Sequence, residues 1–370
     1  MLKLNRISLE GYKSIRQCRD LALDNLNVLI GANGSGKSNF LSFFKLLNFE
    51  MTGALQELIG RSGGADSLLH FGAKTTPHIS AALEILSDKG VNTYRMRLAH
   101  AAPDSLIFTE ESLHYRLYDA SANPPIMHLG AGHRETALRS PEMMNNTTAR
   151  FFRETLPLFR FYQFHDTSDE ARLRGRCGIN DNRFFYHNGG NLPSLLRVIR
   201  ERHPANYQQI VETVRLDFPM FRDFILEPER NGEEHLLLRW KASGAAEYDF
   251  GPHQLSDGTL RFIALATLLL QPRDWLPRLI TIDEPELGLH PYAIKLLASM
   301  LQDASNFTQI IVATQSSALV DSLEPKDVIV ANSDGGASRF ERLDGDKLKS
   351  WLADYTLGEI WEMNLIGGRP

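Results

Sequence analysis

Three groups of residues have the types and spacing to handle a nucleoside triphosphate. The first is Gly31-Ala32-Asn33-Gly34-Ser35-Gly36-Lys37-Ser38, which fits G-x-x-x-x-G-K-[ST]. Its glycines let consecutive backbone N–H groups converge on phosphate oxygens, and the helix that follows adds the positive end of its dipole. Asn33, Gly34, Ser35, Gly36 and Lys37, with Asn39 just beyond, form the expected phosphate-contacting set, and Ser38 offers a hydroxyl to Mg²⁺. The second group is the apolar run Leu279-Ile280-Thr281-Ile282, which ends in Asp283 and Glu284. Asp283 suits Mg²⁺ held through water, and Glu284, on the other face, suits a general base that polarises an attacking water. A strand ending in Asp-Glu is in isolation an ordinary solvated strand end, but a phosphate loop roughly 250 residues upstream gives it chemical meaning. The third group, Leu255-Ser256-Asp257-Gly258-Thr259, opens an apolar helix. Ser256 suits an N-cap and Gly258 permits close backbone approach, so a second helix N-terminus is built to face an anion. A structural cap accounts for Ser256 equally well.

These residues need elements to position them. LNRISLEG alternates as a strand does, LNVLI is a short apolar strand before the loop, and NFLSFFKLLNF after it is apolar on nearly all sides, so that helix is buried. Residues 79–86, 93–99 and 106–118 read as strands of an appended antiparallel sheet. From 192 to 224 the pattern is helical, punctuated by Pro193, Pro204 and Pro219. The runs 279–282, 310–313 and 328–331 are fully apolar, as buried parallel strands are. The expected organisation is a nucleotide-binding part with the phosphate loop over residues 1–165 and an arginine-rich segment with a helical lobe over 166–254. The Ser256 helix, the Asp283 strand and a later switch strand follow over 255–343, then a tail over 344–370.

Composition narrows the class. With Lys+Arg 40 against Asp+Glu 45, a net charge of −5, the whole chain is not built to bind a polyanion, so any nucleic-acid contact is local. Two cysteines, Cys18 and Cys177, make no disulfide framework, and the opening MLKLNRISLE lacks the apolar stretch of a secretory leader. The longest apolar stretch, near 262–270, is about nine residues, against about 20 for a membrane span. A cytoplasmic protein with no membrane partner is expected.

The order of loop lysine, Leu-Ser-Asp-Gly-Thr and Asp-Glu strand resembles that of ABC-type ATPases across essentially the whole chain. The opening Ile7-Ser8-Leu9-Glu10-Gly11-Tyr12-Lys13-Ser14-Ile15 resembles the first hairpin of the RecF/SMC/OLD branch. The closest resemblance is to stand-alone AAA-family ATPases related to the OLD (overcoming lysogenization defect) group, many found in bacterial anti-phage operons. It is carried by Tyr162-Gln163-Phe164-His165-Asp166-Thr167-Ser168, Asp283-Glu284-Pro285-Glu286-Leu287-Gly288-Leu289-His290-Pro291, Ala313-Thr314-Gln315-Ser316, Leu357-Gly358-Glu359-Ile360-Trp361 and Gly367-Gly368-Arg369-Pro370. The resemblance implies an α/β P-loop NTPase fold. The head would have a parallel core sheet, an appended antiparallel β-subdomain, a small helical lobe and, as no heptads occur, no coiled-coil arm. It further implies ATP and Mg²⁺ as ligands, with Lys13 and Ser14 near the phosphates. Ser256 and Gly258 would bind the γ-phosphate of ATP held by another chain, making the working unit a homodimer or larger homo-oligomer. Gln163 would sense Mg²⁺ and the attacking water, with His165 and Asp166 as nearby competitors. Gln315 stands where many relatives carry His. It can orient water but cannot take up a proton near neutral pH, so slow turnover is expected. His290 would lie in the loop that meets the partner chain, or simply cap a helix before Pro291.

Between Arg150 and Arg202 there are ten arginines, no lysine and six acids. Arg172, Arg174 and Arg176 alternate, so a strand there would point all three one way. The segment is either a local nucleic-acid or acidic-partner surface or a solvated face of intramolecular ion pairs, and the acidic balance of the chain favours the latter. Asp344-Gly345-Asp346 has the letters of a Toprim metal site but ends 24 residues before the last residue, so it reads as a turn. A separately encoded effector, a nuclease or toxin, is the expected partner, with the 150–202 stretch or the 351–370 tail as docking surface because neither is needed for hydrolysis. The rival reading is a RecF-like DNA-repair or DNA-binding ATPase.

Overall fold

The computed structural model describes residues 2–119, 124–228 and 234–369; Pro370, the last residue of the tail motif, lies outside them. The chain opens with the hairpin β1 (Lys3–Tyr12) and β2 (Ile15–Ala22), then β3 (Leu26–Ile30), α1 (Lys37–Thr52) and α2 (Leu55–Arg61). The long strands β4 (His78–Ser87), β5 (Gly90–Ala101) and β6 (Ser105–Leu117) follow, with β7 (Met127–His128) as a short edge. In order β2-β1-β4-β5-β6-β7 they make one antiparallel sheet. β4 alternates buried and half-buried residues because one face packs inward.

After α3 (Thr147–Thr155) the chain enters a second sheet at β8 (Phe159–Tyr162), then passes through β9 (Cys177–Gly178), α4 (Leu192–Arg202) and α5 (Pro204–Asp217). The helical pattern ends earlier than the sequence suggests. Residues 221–225 form β10 (Phe221–Ile225), which joins β12 (Arg239–Ala242) and β13 (Ala245–Phe250) in a three-stranded sheet, while β11 (His235–Leu236) pairs with β9. Aromatic packing drives this: Trp240 lies 4.4 Å from Phe250 and 5.2 Å from Phe218 between ring centroids, a cluster that a helix through 224 could not assemble. The strand expected at Arg172, Arg174 and Arg176 is also absent. Ala171 N donates to Ser168 O, Arg174 N to Ala171 O and Gly175 N to Arg172 O, so the segment is a run of turns that sends Arg174 inward.

The last third supplies α6 (Asp257–Leu270), β14 (Leu279–Asp283), α7 (Pro291–Ser305), β15 (Gln309–Thr314), α8 (Ser317–Val320), β16 (Val328–Asp334), β17 (Ala337–Arg342), α9 (Gly345–Leu348) and α10 (Leu357–Glu362). The second sheet runs β17-β16-β3-β15-β14-β8, parallel except for β17. It is the middle layer of the molecule. Leu29, Ile311, Ala313 and Ile329 face α1 and the antiparallel sheet, whereas Val28, Ile30, Ile310 and Val312 face α6 and α7. Layers on both faces explain why these strands are apolar throughout, and why Phe40, Phe43, Phe44, Leu46 and Leu47 of α1 are all fully buried. Among the described residues α1, at 16 residues, is the longest helix, and no helix is long and apolar enough to cross a membrane.

Candidate nucleotide site

The phosphate loop connects the C-terminal end of β3 to the start of α1, where a parallel sheet presents its ligand face. Gly36 is the N-cap of α1 at φ +101° and supplies no side-chain cap, so the first N–H groups of a buried helix are left without an intrahelical acceptor. Gly34, at φ +77°, has open space where a Cβ would stand, whereas a Cβ on Gly36 would be 2.0 Å from Ser338 Oγ and 2.7 Å from Ser14 Oγ. The loop is thus open on one side and tightly backed on the other. Lys37 Nζ donates to Gly31 O (2.6 Å) and Ala32 O (3.0 Å), holding the loop closed on itself. Ser35 Oγ is buried without a hydrogen-bond partner among the described residues.

Ser38 Oγ donates to Asp283 Oδ1 at 3.0 Å, joining two motifs 245 residues apart. Burial pushes the Asp283 carboxyl above its ordinary range against the Ser38 hydrogen bond, and pushes the Lys37 ammonium down against Glu284 and Asp283. A phosphate beside Lys37 and a cation beside Asp283 would each relieve that bias. Among the described residues no three His, Cys, Asp or Glu converge to hold a metal. One hydroxyl and one carboxylate are instead what Mg²⁺ uses when water and phosphate oxygens complete its shell, so the residues fit both groups.

Beside Asp283, Glu284 has φ +42° and its N–H donates to Ala313 O at 2.8 Å. Its Oε1 accepts from Gln315 Nε2. Gln315 is positioned by Glu286, a buried residue that the sequence reading left without a role. Glu286 Oε1 accepts from Thr314 Oγ1 (2.6 Å) and Gln315 N (2.8 Å), and burial raises its pKa. Its only sequence signal is its place in the Asp-Glu-Pro-Glu run.

Gln163 follows β8 and its exposed side chain meets His165 Nδ1 at 3.1 Å, while His165 Nε2 lies 2.9 Å from Asp283 O. His165, weighed as a competitor, makes the direct contact with the acidic strand end. Ser14 joins the loop through Asn39 Nδ2 (2.8 Å) and Ser338 Oγ (2.8 Å). Lys13, at φ +49°, instead places Nζ 3.0 Å from Ser42 Oγ, one turn further along α1 than Asn39.

Ser256 caps α6, accepting from Thr259 N at 3.1 Å, and is exposed. Gly258 allows a close approach, but its neighbour is the chain itself: a Cβ there would stand 2.1 Å from Gly288 O. Two arginines hold this helix start. Arg261 donates to Phe164 O (2.9 Å), His165 O (3.2 Å) and Leu287 O, tying α6 to both the Gln163 segment and the loop after β14. Arg174 donates to Thr167 O (2.8 Å), Pro252 O, Leu255 O (3.2 Å) and Asp257 Oδ1 (2.7 Å). His290 caps α7, accepting from Tyr292 N at 3.3 Å. The tail, expected to be dispensable, reaches the loop. Trp361 is fully buried and donates from Nε1 to Gly368 O (2.6 Å), Gly368 N donates to Asn332 Oδ1 (2.7 Å), and a Cβ on Gly368 would stand 3.2 Å from Gly31 Cα.

A three-layer α/β head with these motifs at the C-terminal ends of its parallel strands is a P-loop ATPase fold of the ABC type. The chain belongs to the family described as "AAA domain, putative AbiEii toxin, Type IV TA system", whose model matches residues 26–321. Two solved structures share the fold. One is the Smc head bound to the C-winged helix domain of ScpA, 18% identical, TM-score 0.59, covering 93% of this chain and 99% of that one. The other is an Smc head with an extended coiled coil bound to the C-terminal domain of ScpA, derived from Pyrococcus furiosus, 15% identical, TM-score 0.59, covering 96% and 99%. Structural maintenance of chromosomes protein 3 from Arabidopsis thaliana is 34% identical over 93 residues, 25% of this chain but only 7% of that protein.

Proposed function

We propose that this chain is a Mg²⁺-dependent ATP hydrolase that dimerises head to head around ATP and uses the dimer to control a separately encoded effector. The observation that carries the reading is the Ser38–Asp283 hydrogen bond with Glu284 and Gln315 beside it. In this reading Lys37 and the N–H groups of residues 33–39 bind the phosphates, and Ser14 backs the loop. Ser38 and Asp283 hold Mg²⁺, which would neutralise charge on the phosphate oxygens. Glu284 takes the proton of the attacking water, and Gln315 orients Glu284. Gln163 reaches the same place through His165. Ser256, exposed at the start of α6, and the half-buried Gly258 act on nucleotide held by a second copy.

The dimer is supported by the Smc-head fold and by an exposed Ser256 that its own phosphate motifs do not use. The family's description names a putative toxin of a type IV TA system, which supports a toxin-linked setting for this chain; that the effector, nuclease or toxin, is a separate protein and that the setting is anti-phage defence are our assignments. The test is Glu284→Gln, in which the amide still hydrogen-bonds but accepts no proton. It is expected to bind ATP with wild-type affinity, to lose at least about 99% of turnover, given the 10²-fold or greater contribution of a general base, and to accumulate as an ATP-bound dimer by size exclusion. Near-normal hydrolysis would refute the assignment. Hydrolysis accelerated by duplex DNA, with no protein partner captured by the trapped dimer, would favour the RecF-like alternative.

A further inference from the structure

The arginines between Arg150 and Arg202 do not act as one surface. Arg174 is buried under α6, Arg153 binds the carbonyls of Leu138, Met143 and Met144, Arg197 pairs with Glu201 and Arg200 with Glu227. Three others, Arg160, Arg183 and Arg202, converge with Arg273 and Arg278 from the α6–β14 connection on a cleft of about 1160 Å³ whose single acid, among the described residues, is Asp274. Among the described residues none of these five guanidiniums has a carboxylate partner or a hydrogen-bond acceptor. Two of them lie on aromatic rings instead: Arg160 is 4.0 Å from the centroid of Phe184, and Arg273 is 3.8 Å from that of Phe307. Both rings are exposed, at 40% and 39%. A smaller hollow continues the cleft past Arg160 to Lys45 and Arg61, with no acid in its lining among the described residues. His187 in that hollow has its pKa lowered by burial first and then by the nearby charges of Lys45 and Arg160.

Five arginines without a carboxylate partner among the described residues, gathered in one cleft of an acidic chain, make a local positive patch that an anionic ligand would neutralise. The exposed rings identify the ligand. A carboxylate-rich peptide needs the arginines but not the phenylalanines, whereas unstacked bases need flat apolar faces beside phosphate-binding cations. We propose that this cleft binds single-stranded nucleic acid, its arginines on phosphates and Phe184 and Phe307 under bases. The site lies apart from the nucleotide loop: Arg278 precedes β14 and Asp283 ends it, so five residues of strand, roughly 16 Å, separate the two. The inference goes beyond the ATPase reading and stands or falls separately from it.

The test is fluorescence anisotropy of the full chain with short labelled oligo(dT) and oligo(rU) strands, a duplex of equal length and poly-glutamate. Binding of at least one single strand is expected, with a slope of log K against log salt of about −3.5, from about 0.7 per arginine. Arg183→Glu with Arg273→Glu, both exposed and outside the ATP site, should weaken it by at least roughly tenfold and flatten the slope. Phe184→Ala and Phe307→Ala should each weaken it about five- to a hundredfold at unchanged slope. ATP binding by each variant controls for folding. A preference for DNA or for RNA supports the proposal and names the strand. No single-strand binding at low salt, indifference to the phenylalanines, or poly-glutamate or duplex bound as tightly as the strands would overturn it.

Discussion

Glu284, the residue assigned to take the proton, is held in a left-handed backbone conformation that costs a non-glycine residue on the order of 1 kcal/mol. The conformation is held at both ends, its N–H tied to Ala313 O and its carboxylate to Gln315 Nε2. A different buried acid carries a structural proton. Tyr94 Oη meets both Glu50 and Glu111, and it has one proton to give, so one carboxyl must donate to it. Burial, then the charge of Glu111, raises the pKa of Glu50 well above 4.5, which identifies Glu50 as the protonated partner. A carboxyl with a raised folded pKa stabilises fully below its unfolded value and loses that contribution as pH rises toward the folded one. Glu50→Gln, which mimics the protonated group, should therefore melt higher than wild type at pH 8, with the gain shrinking as pH falls to 4.5. A difference in melting temperature that is constant with pH would show that Glu50 is not the proton carrier.

At the scale of elements, the phosphate loop is held from behind by pieces remote in sequence. Ser338 of β17 and Ser14 of the first hairpin back Gly36, and the tail backs Gly31. Helix α10 also packs on α8, just after Gln315, with Gly358 N donating to Asp321 Oδ1 at 2.7 Å. The tail thus bridges the switch segment and the loop. Gly367 and Gly368 have φ of +76° and +64°, and side chains there would press on Asn332, Val330 and Gly31, so the Gly-Gly pair is a steric requirement. Gly368→Val should cost about 2 kcal/mol in urea unfolding through strain and overpacking, and weaken ATP binding severalfold, whereas Glu362→Ala on the exposed side of α10 should do neither. Unchanged ATP affinity in a destabilised Gly368→Val would confine the tail to a packing role.

For the molecule as a whole, the two surfaces proposed to face ATP lie on different elements, the loop on α1 and Ser256 on α6. In one chain α6 is tied by Arg261 and Arg174 to the Gln163 segment and to the loop after β14, so a closure onto nucleotide would carry these segments together. Lys37→Ala loses its own phosphate grip and keeps a good Ser256 surface; Ser256→Arg is the converse. Mixed in equal amounts, the two inactive proteins should regain up to about a quarter of wild-type turnover, since half the dimers are mixed and each has one intact site. Heterodimers that form, as native mass spectrometry would show, yet stay inactive at every ratio would rule out action in trans. If ATP is held between chains as proposed, it would stabilise only the closed dimer and so shift any partner equilibrium linked to closure.

The phosphate loop, the acidic strand end and the buried parallel strands were legible in the sequence because each depends on contiguous residues: glycines where the backbone must turn, apolar runs where both faces are covered. The same locality made residues 79–118 readable as antiparallel strands. What the sequence could not determine depends on contacts between distant segments. Arg172, Arg174 and Arg176 alternate like a strand, yet the carbonyls of Thr167, Pro252 and Leu255 pull Arg174 inward and turn the segment. Residues 221–224 read as the end of the helical stretch until Trp240 and Phe250 offer a sheet to join. Glu286 acquires a role only when β15 brings Thr314 and Gln315 to it, and the tail only when Trp361 carries Gly368 onto Gly31. Local propensity and motif spacing are properties of neighbours along the chain. The partners of a buried charge or of a close-packed glycine are chosen by the tertiary fold, because only there is the cost of an unpaired group or a collision incurred.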